Sequence, residues 1–321
     1  MLDVFFTVDV EIWCDGWDDL DRKFPSAYQR YVYGPTRDGD YALPATLKIL
    51  NDHGLRGVFF VEPLFSTRFG AEPLQELIGL IQAAGQEVQL HLHTEWVDTA
   101  REPLLPNISS KRQHLRQFSH DEQVELIAAG LKLLRAAGAG PINAFRAGNW
   151  GLNRDTLSAL AVNAVEFDSS YNAASKVGVD NVVPGQILTQ PAAFATVTEY
   201  PVTVYRDRGA AGLRPLQLTA CSFSEMRGVL DTAAESGWDS VVVVSHNFEL
   251  LNRRKDRPDP IVVGRFRKLC RYLEQHADRF RVRGFQGLGH ARPGAQPEPL
   301  RSSSWLSYQR YAEQLFRRVY R

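Results

Sequence analysis

Short apolar runs alternate with longer amphipathic segments along most of the chain, which is the pattern of alternating strands and helices. The apolar runs predict strands at residues 2–10, 56–61, 87–91, 142–145, 165–168, 197–205, 241–244 and 280–282. Helical spacing of apolar residues predicts helices at 44–50, 73–84, 155–162 and 262–277, and two more that begin at Ser119 and Ser222. Seven or eight strand–helix units favour a parallel α/β sheet, either open or closed into a barrel.

Polar and ionisable residues gather where the predicted strands end. Asp9 and Glu11, the segment 91–95, Arg146, Asp168 and His246 all lie at the C-terminal end of a predicted strand or directly after it. Parallel α/β proteins collect their active groups at that edge of the sheet. We therefore expect these side chains to build a functional site.

The segment from His91 to Glu95 offers two imidazoles and one carboxylate within five residues. In an extended chain His91, His93 and Glu95 point to one side, whereas in a helix His91 and Glu95 share a face and His93 points elsewhere. Imidazole with carboxylate suits Zn, Fe, Co, Ni or Mn better than Ca or Mg. The segment predicts half of a divalent-metal site; the alternative is a solvated loop that carries polar residues.

Two carboxylates, Asp9 and Glu11, lie two residues apart and therefore on one face of the first predicted strand. Acidic residues are depleted from strands and are seldom buried without a partner. The pair favours a nearby cation; the alternative is a strand end at which both carboxylates reach water.

Three further residues at strand ends have ionisable side chains that could act in a functional site. Arg146 can hold a carboxylate with two hydrogen bonds, although an Arg beside a turn glycine can also be a surface residue. Asp168 places a carboxylate at the next strand end. His246 follows the most hydrophobic strand and is either an ordinary core or loop histidine or, with a carboxylate nearby, an acid catalyst with a raised pKa.

Composition and charge narrow the class of protein. The 321 residues are 44% hydrophobic and 23% charged, which is typical of a soluble globular protein of one or two domains. Lys plus Arg and Asp plus Glu number 37 each, so no net field favours binding to nucleic acid or to a membrane. The three cysteines form no CxxC pair, the N-terminus does not resemble a signal peptide, and no apolar run reaches the length of about 20 residues that spans a membrane. We expect a cytoplasmic protein.

The last thirty or so residues form a pattern of their own. A segment rich in Pro, Gly and Ser from Pro293 to Ser304 predicts a linker, and a basic amphipathic helix follows it to Arg321. Its apolar residues are Leu306, Ala312, Leu315, Phe316 and Val319, against Arg310, Arg317, Arg318 and Arg321. We expect this helix to dock on the body with its basic face in solvent, in preference to peripheral attachment to a membrane or a partner.

In this order, the strand-end residues resemble the five motifs of the polysaccharide deacetylases of carbohydrate esterase family 4, over about residues 1–290. Thr7-Val8-Asp9-Val10-Glu11 resembles a first motif that usually runs Thr-Phe-Asp-Asp, and His91 to Glu95 resembles His-x-x-x-His, with Glu95 in place of the second histidine. The others are Arg146-Ala147-Gly148, similar to Arg-x-Pro-x-Gly, then Asp168 with Tyr171, and Val244-Ser245-His246, similar to Leu-x-His. The two histidines followed by Trp96 further resemble a branch associated with lipopolysaccharide or exopolysaccharide biosynthesis.

The resemblance implies a distorted (β/α) barrel of about seven units, similar to a TIM barrel, over residues 1–290, with 291–321 forming the linker and helix. It also implies a hydrolase that removes an N-acetyl group from a sugar with the help of a divalent metal. Zn is the preferred metal, with Co, Ni, Fe or Mn as alternatives.

The resemblance also implies a role for each matching residue. Asp9 is the general base with Arg146 as its tethering partner, and His246 is the general acid, oriented by Asp168. Glu11 and His91 are metal ligands, and the third ligand is Glu95, which is preferred by position, or His93, which stays open. Trp96, Trp150 and Tyr171 are the expected substrate contacts.

Two alternatives stay open. A relative with the same fold and metal could hydrolyse another non-peptide C–N bond. A catalytically weak glycan-binding scaffold could instead stack sugars on aromatic residues between Cys14 and Tyr41, namely Trp17, Tyr28, Tyr31 and Tyr33.

Overall fold

The computed structural model describes the whole chain except residues 107, 109, 176, 178–181, 208–211, 290–293 and 320–321. The strands are β1 (Leu2–Val10), β2 (Pro35–Thr36), β3 (Gly39–Asp40), β4 (Val58–Val61), β5 (Glu87–Leu92), β6 (Ala144–Ala147), β7 (Phe167–Asp168), β8 (Ala192–Phe194), β9 (Val197–Glu199), β10 (Val204–Arg206), β11 (Leu213–Pro215), β12 (Ser240–His246), β13 (Phe280–Val282) and β14 (Leu300–Arg301).

The α-helices are α1 (Leu20–Tyr28), α2 (Leu43–Asp52), α3 (Ser66–Phe69), α4 (Glu72–Ala83), α5 (His120–Ala136), α6 (Arg154–Val162), α7 (Phe223–Glu235), α8 (Pro260–Gln275) and α9 (Ser304–Val319). A π-helical turn covers Gln29–Tyr33, and 3-10 turns cover Thr94–Thr99, Leu115–Gln117 and Gly148–Trp150. Among the described residues, no helix has the length and apolar character needed to cross a membrane.

The chain divides into two compact units. The first unit contains Met1–Gly57, Thr203–Arg283 and Pro299–Arg321, and the second contains Val58–Val202 and Gly284–Glu298. The predicted division near residue 290 stays a prediction. The predicted linker begins at Pro293, which lies outside the described residues.

In the first unit, β1 pairs in parallel with β12 and with β13. The side chains of β1 and β12 are almost all buried and mostly apolar, as expected for parallel strands covered on both faces. The register places Asp9 opposite His246. The polar ends of β1 and β12 therefore lie side by side.

In the second unit, β4, β5, β6, β7 and β9 pair in parallel in that order, and β8 pairs antiparallel with β9. The register places His91 opposite Arg146, and Asp168 opposite both Phe145 and Glu199. The strand ends that carry polar residues thus follow one another along this sheet.

The predicted alternation of strands and helices is confirmed, and the fold class is α/β with parallel strands. The two helices predicted to begin at Ser119 and Ser222 are present, and each starts with a capping box, since the hydroxyl groups of Ser119 and Ser222 accept hydrogen bonds from the backbone N–H of Glu122 and Glu225. One predicted strand is wrong. Residues 197–205 form β9 and β10, which are separated at Pro201 because proline cannot donate to a ladder of hydrogen bonds.

The predicted orientation of the last helix is also wrong for the side chains that the structure describes; Leu306, Phe316, Arg318, Val319 and Arg321 lie outside them. Arg310, expected on a solvated basic face, is fully buried, whereas Leu315, expected on the docked apolar face, is 64% exposed. The reason is that acidic partners in the first unit neutralise Arg310 where the helix meets the body.

Candidate functional site

His246, the last residue of β12, is held by a carboxylate that the sequence analysis does not single out. Its Nδ1 lies 2.9 Å from Oε1 of Glu249. Glu249 also accepts hydrogen bonds from the Gln217 amide (2.5 Å), the Thr219 hydroxyl (3.1 Å) and the Ser245 hydroxyl (3.2 Å). With so many donors fixing Glu249, the imidazole has one orientation and keeps its proton on Nδ1.

The other nitrogen of His246 faces the carboxylate of Glu11, which directly follows β1. Nε2 lies 4.0 Å from Oε1 of Glu11, and one ligand atom from each of Asp9, Glu11 and His246 lies within 4.8 Å of the others. Burial would lower the pKa of His246, but the hydrogen bond to Glu249 and the charges of Glu11, Glu249 and Asp9 raise it to about 9. The imidazole is therefore protonated at neutral pH and can act as an acid.

Asn247 fixes the end of β1 beside this group. Its side-chain oxygen accepts from the backbone N–H of Glu11 (3.1 Å), and its amide donates to the carbonyl oxygens of Glu11 (3.2 Å) and Tyr31 (2.6 Å). The indole of Trp13 donates to Oε2 of Glu11 (2.7 Å). These contacts hold the backbone and the carboxylate of Glu11 in place.

In the second unit, both histidines of the predicted metal segment have Nδ1 beside an acceptor. Nδ1 of His91 lies 2.8 Å from the backbone oxygen of Arg146, and Nδ1 of His93 lies 3.2 Å from Oε2 of Glu95. The ring centres are 4.8 Å apart. A proton on each Nδ1 leaves the lone pair on Nε2, which is the usual arrangement of metal-binding histidines.

Glu95 supports His93. Its second carboxylate oxygen accepts from the amide of Asn149 (2.6 Å), a residue in the left-handed conformation (φ 52°) that Asn tolerates well. Burial would raise the pKa of Glu95, but the hydrogen bond and charge of His93, with help from Asn149, hold it below its usual value. The prediction preferred Glu95 as the third ligand; this geometry favours the alternative, His93, with Glu95 orienting it.

Gly148 makes room for His93. A Cβ atom at this position would lie 2.7 Å from the Leu92 carbonyl oxygen and 2.8 Å from Nδ1 of His93. Only glycine fits so close to that ring. The glycine after Arg146 thus has a steric reason in this structure.

Arg146 is completely buried at the end of β6. Its Nε donates to the Ser169 carbonyl oxygen (2.8 Å) and its Nη2 to the Ser169 hydroxyl (3.0 Å). The guanidinium also lies 4.4 Å from the ring centre of Phe60 and 5.6 Å from that of Trp150. These contacts give the guanidinium a single position; its tethering of Asp9 stays a prediction.

Asp168 and Glu199 form a buried pair of carboxyl groups on neighbouring strands. Both are fully buried; the Ser170 hydroxyl donates to Asp168 (2.5 Å) and the Tyr171 backbone N–H donates to Glu199 (3.1 Å). Burial, and then the charge of Asp168, raise the pKa of Glu199 well above its usual value, and burial raises the pKa of Asp168. The pair therefore keeps a proton to higher pH than two separate carboxyl groups would. The predicted role of Asp168 in orienting His246 stays a prediction, because the partner found at Nδ1 of His246 is Glu249.

Glu62 is another functional candidate that the sequence analysis missed. It directly follows β4, is buried, and accepts from the backbone N–H groups of Leu64 (2.8 Å) and Phe65 (3.2 Å). Burial raises its pKa to about 8 despite these bonds and the nearby His93. Its place directly after an apolar run was the available signal, and for Glu249 the signal was its spacing of three residues from His246.

The three predicted substrate contacts differ in accessibility. Trp96 and Tyr171 are buried; Trp96 packs edge-on against Phe69, and the Tyr171 hydroxyl donates to the Gln186 carbonyl oxygen (3.1 Å). Trp150 is partly exposed. Burial gives Trp96 and Tyr171 a packing role, and Trp150 is the one of the three that has a surface open to a substrate.

The donor chemistry in each unit fits a divalent metal. Buried carboxylates at Asp9 and Glu11 provide negative charge in the first unit, and His91 and His93 present Nε2 in the second. Oxygen and imidazole nitrogen together suit Zn, Co, Ni, Fe or Mn.

No family model matches the sequence, and no curated protein is significantly similar to it. Among solved structures, a protein from Mycobacterium smegmatis named as a candidate polysaccharide deacetylase matches with a TM-score of 0.59 at 19% identity, over 89% of this chain and 88% of the other. The chain has the fold of that deacetylase structure. The predicted fold class, a barrel-like α/β fold, is confirmed by this likeness.

Two weaker matches belong to proteins of family 4. One is a carbohydrate esterase from Streptomyces lividans solved with acetate, at 13% identity and TM-score 0.40, over 86% of this chain and 89% of the other. The other is a pseudoenzyme from Bacillus anthracis, at 12% identity and TM-score 0.43, over 86% of this chain and 62% of the other.

Proposed function

We propose that this chain is a metal-dependent hydrolase that removes an N-acetyl group from a sugar. The observation that carries the proposal is the group of Asp9, Glu11 and His246, in which an imidazole held by Glu249 faces two carboxylates. An acid and a base at one place are what the hydrolysis of an unactivated amide requires. The likeness of the fold to a candidate polysaccharide deacetylase supports the choice of substrate class.

In the proposed reaction, the Asp9 carboxylate takes a proton from the attacking water. His246 gives its Nε2 proton to the departing amine, which would otherwise be a poor leaving group. The raised pKa of His246 keeps that proton available at neutral pH. Glu249 is a positioning residue, because it orients the imidazole through Nδ1.

Glu11, His91 and His93 are the proposed metal ligands, with Glu95 behind His93. A divalent metal, when bound, supplies Lewis acidity that activates water and polarises the substrate carbonyl. We propose Zn, since two imidazoles and a carboxylate match its preferred donors. The proposal that these residues bind the same ion rests on the order of their motifs along the sequence.

The proposal extends to the biosynthesis of a surface polysaccharide or lipopolysaccharide, in the cytoplasm. It is supported by the resemblance of the segment His91 to Trp96 to that branch. Trp150 is the proposed sugar contact, since its indole is partly exposed beside the buried guanidinium of Arg146.

The test combines metal analysis with a substrate panel. Purified protein is loaded with Zn, Co, Ni, Fe or Mn and assayed for acetate release from N-acetylated monosaccharides, nucleotide-linked sugars and lipid-linked glycans. We expect bound metal in the wild type, loss of metal in Glu11→Ala and His91→Ala, and acetate release from at least one substrate. A wild type that binds no metal at micromolar supply would exclude the proposal.

The same panel tests the alternatives. Turnover of another non-peptide C–N bond without acetate release would identify the related hydrolase. The glycan-binding scaffold has lost part of its support, because Tyr28 and Tyr31, two of its four aromatic residues, are buried. Tyr31 packs edge-on against Phe248 and beneath the Lys255 ammonium.

A further inference from the structure

Helix α9 turns its polar side toward the body of the first unit. Arg310 is fully buried and pairs with Asp207 (2.5 Å) and Glu225 (2.7 Å), which are themselves buried. The Ser307 hydroxyl donates to the same Asp207 (2.6 Å). Charge pairing and hydrogen bonds therefore anchor the first half of the helix.

The second half of α9 is anchored in the same way. Nε of Arg317 donates to Asp259 (2.7 Å), and Glu313 accepts from Nε of Arg265 in α8 (2.8 Å). Asp259 also caps the start of α8 through its other oxygen. The helix is thus held along its length by ionic contacts to the body.

The outer side of α9 is apolar and aromatic. Trp305, Tyr308 and Leu315 are 69%, 68% and 64% exposed, and Tyr311 and Ala312 are exposed between them. Their spacing of three or four residues puts all five on one helical face. Four of the six large hydrophobic side chains that are exposed among the described residues lie on this helix. An ordinary surface helix has the opposite arrangement, with apolar residues inward.

A basic loop adjoins the helix. Arg253 and Arg254 are exposed in the segment between β12 and α8, and Arg253 and Lys255 line a cavity of about 480 Å³ together with Gln314 and Arg317 of α9. Exposed cations therefore lie beside the second half of the helix.

We propose that the outer face of α9, with the basic loop beside it, docks the protein on an anionic lipid surface. Tyr and Trp are the side chains preferred at the boundary between lipid headgroups and acyl chains. An apolar helical face and a polybasic segment together give the two attractions that stable peripheral binding needs. The charge of the loop complements anionic lipid.

A second copy of the chain fits this face less well. The 16-residue helix is about 24 Å long, so one face offers only a few hundred Å², compared with about 800 Å² per partner in a standard interface. A lipid surface needs no matching area. This inference is independent of the proposed function, because none of its residues belongs to the proposed catalytic group.

The test is flotation of the full chain with vesicles of phosphatidylcholine alone or with one quarter phosphatidylglycerol. We expect binding to the anionic vesicles that weakens in high salt. The affinity of the variant Trp305→Ser/Tyr308→Ser/Leu315→Ser for these vesicles should fall about tenfold or more, since apolar burial drives interfacial binding. Its control, Val162→Ser, removes an equally exposed apolar residue from α6 and should bind like the wild type.

The basic loop has its own matched pair of variants. Arg253→Gln/Arg254→Gln should weaken binding to anionic vesicles severalfold, whereas Lys132→Gln/Arg135→Gln, which removes the same charge from exposed positions of α5, should not. Lipids brominated along the acyl chain give a readout that does not depend on whether the triple variant folds. They should quench the tryptophan fluorescence of the wild type and quench that of Trp305→Phe markedly less.

Three results would overturn the proposal. They are a wild type that does not float with anionic vesicles, a folded triple variant that binds like the wild type, and a wild-type dimer that the triple variant abolishes without any vesicle binding. The last result would assign the face to a second copy of the chain.

Discussion

Glu249 and His246 are joined by a contact of 2.9 Å between a carboxylate oxygen and Nδ1 of the imidazole. The carboxylate lies three residues beyond the histidine, in the turn that follows β12, and other side chains hold it in place. Because Nδ1 is engaged, Nε2 is the nitrogen that can give a proton to a substrate.

The variant Glu249→Gln tests this relationship. The hydrogen bond and charge of Glu249 raise the pKa of His246, so their loss should lower it. Activity that needs protonated His246 is lost as pH rises through this pKa, and the basic limb of the pH–rate profile should therefore move to lower pH. We expect kcat to fall about 10- to 100-fold. An unshifted basic limb would rule out Glu249 as the positioning residue.

The roles of His93 and Glu95 can be separated by metal affinity. His93→Ala should remove a ligand and abolish tight binding, whereas Glu95→Gln should keep the metal with an affinity lowered about 10- to 100-fold, because an orienting partner is lost. Isothermal titration of the apoprotein with Zn measures both. Tight binding by His93→Ala, with none by Glu95→Gln, would restore Glu95 as the ligand.

The sequence predicted much of the fold because its parallel strands are buried on both faces. Their continuous apolar runs, such as β1 and β12, stand out from the polar segments around them. The strand ends also identified Asp9, Glu11, His91 and His246 as candidates. Contacts between side chains were beyond this pattern: the spacing of Glu249 and Asn247 from His246 makes them candidates but does not show which groups they contact.

The helix α9 shows a different limit of sequence analysis. An amphipathic pattern reveals that two faces differ but not which one meets the body. Here the acidic residues Asp207 and Glu225 are far from Arg310 in the sequence, and they draw the polar face inward. The orientation depends on partners that only the tertiary structure brings together.

The pair Asp168 and Glu199 predicts a pH dependence of stability. An unfolded Glu loses its proton near pH 4.3, but the raised pKa in the folded protein delays that loss. The wild type therefore loses stability as pH rises above the unfolded pKa, until the folded pKa is passed. Glu199→Gln lacks this loss, so its Tm relative to the wild type should be higher at pH 8 than at pH 5. The exposed control Glu166→Gln should show no such trend. If the Tm of Glu199→Gln relative to the wild type fell as pH rises, that result would contradict a proton shared by Asp168 and Glu199.

Arg310 predicts a large effect on stability. Arg310→Ala leaves Glu225 buried without its cation and leaves Asp207 with Arg214 as its remaining cation, and the loss of one partner from such a buried group costs about 3–5 kcal/mol. Urea unfolding measures the change in free energy. The exposed control Arg227→Ala, in α7, should change it by no more than about 0.5 kcal/mol. A loss below about 1 kcal/mol for Arg310→Ala would show that α9 is not held by these ion pairs.

The central claim is that Asp9 acts as a base beside a bound metal. Its most direct test is acetate release by the wild type and by Asp9→Asn, measured on samples whose metal content is determined in parallel. We predict that both proteins hold the same amount of metal, that the wild type releases acetate from an N-acetylated sugar, and that Asp9→Asn does not. Equal turnover by the two proteins, or loss of the metal together with activity in Asp9→Asn, would contradict the claim.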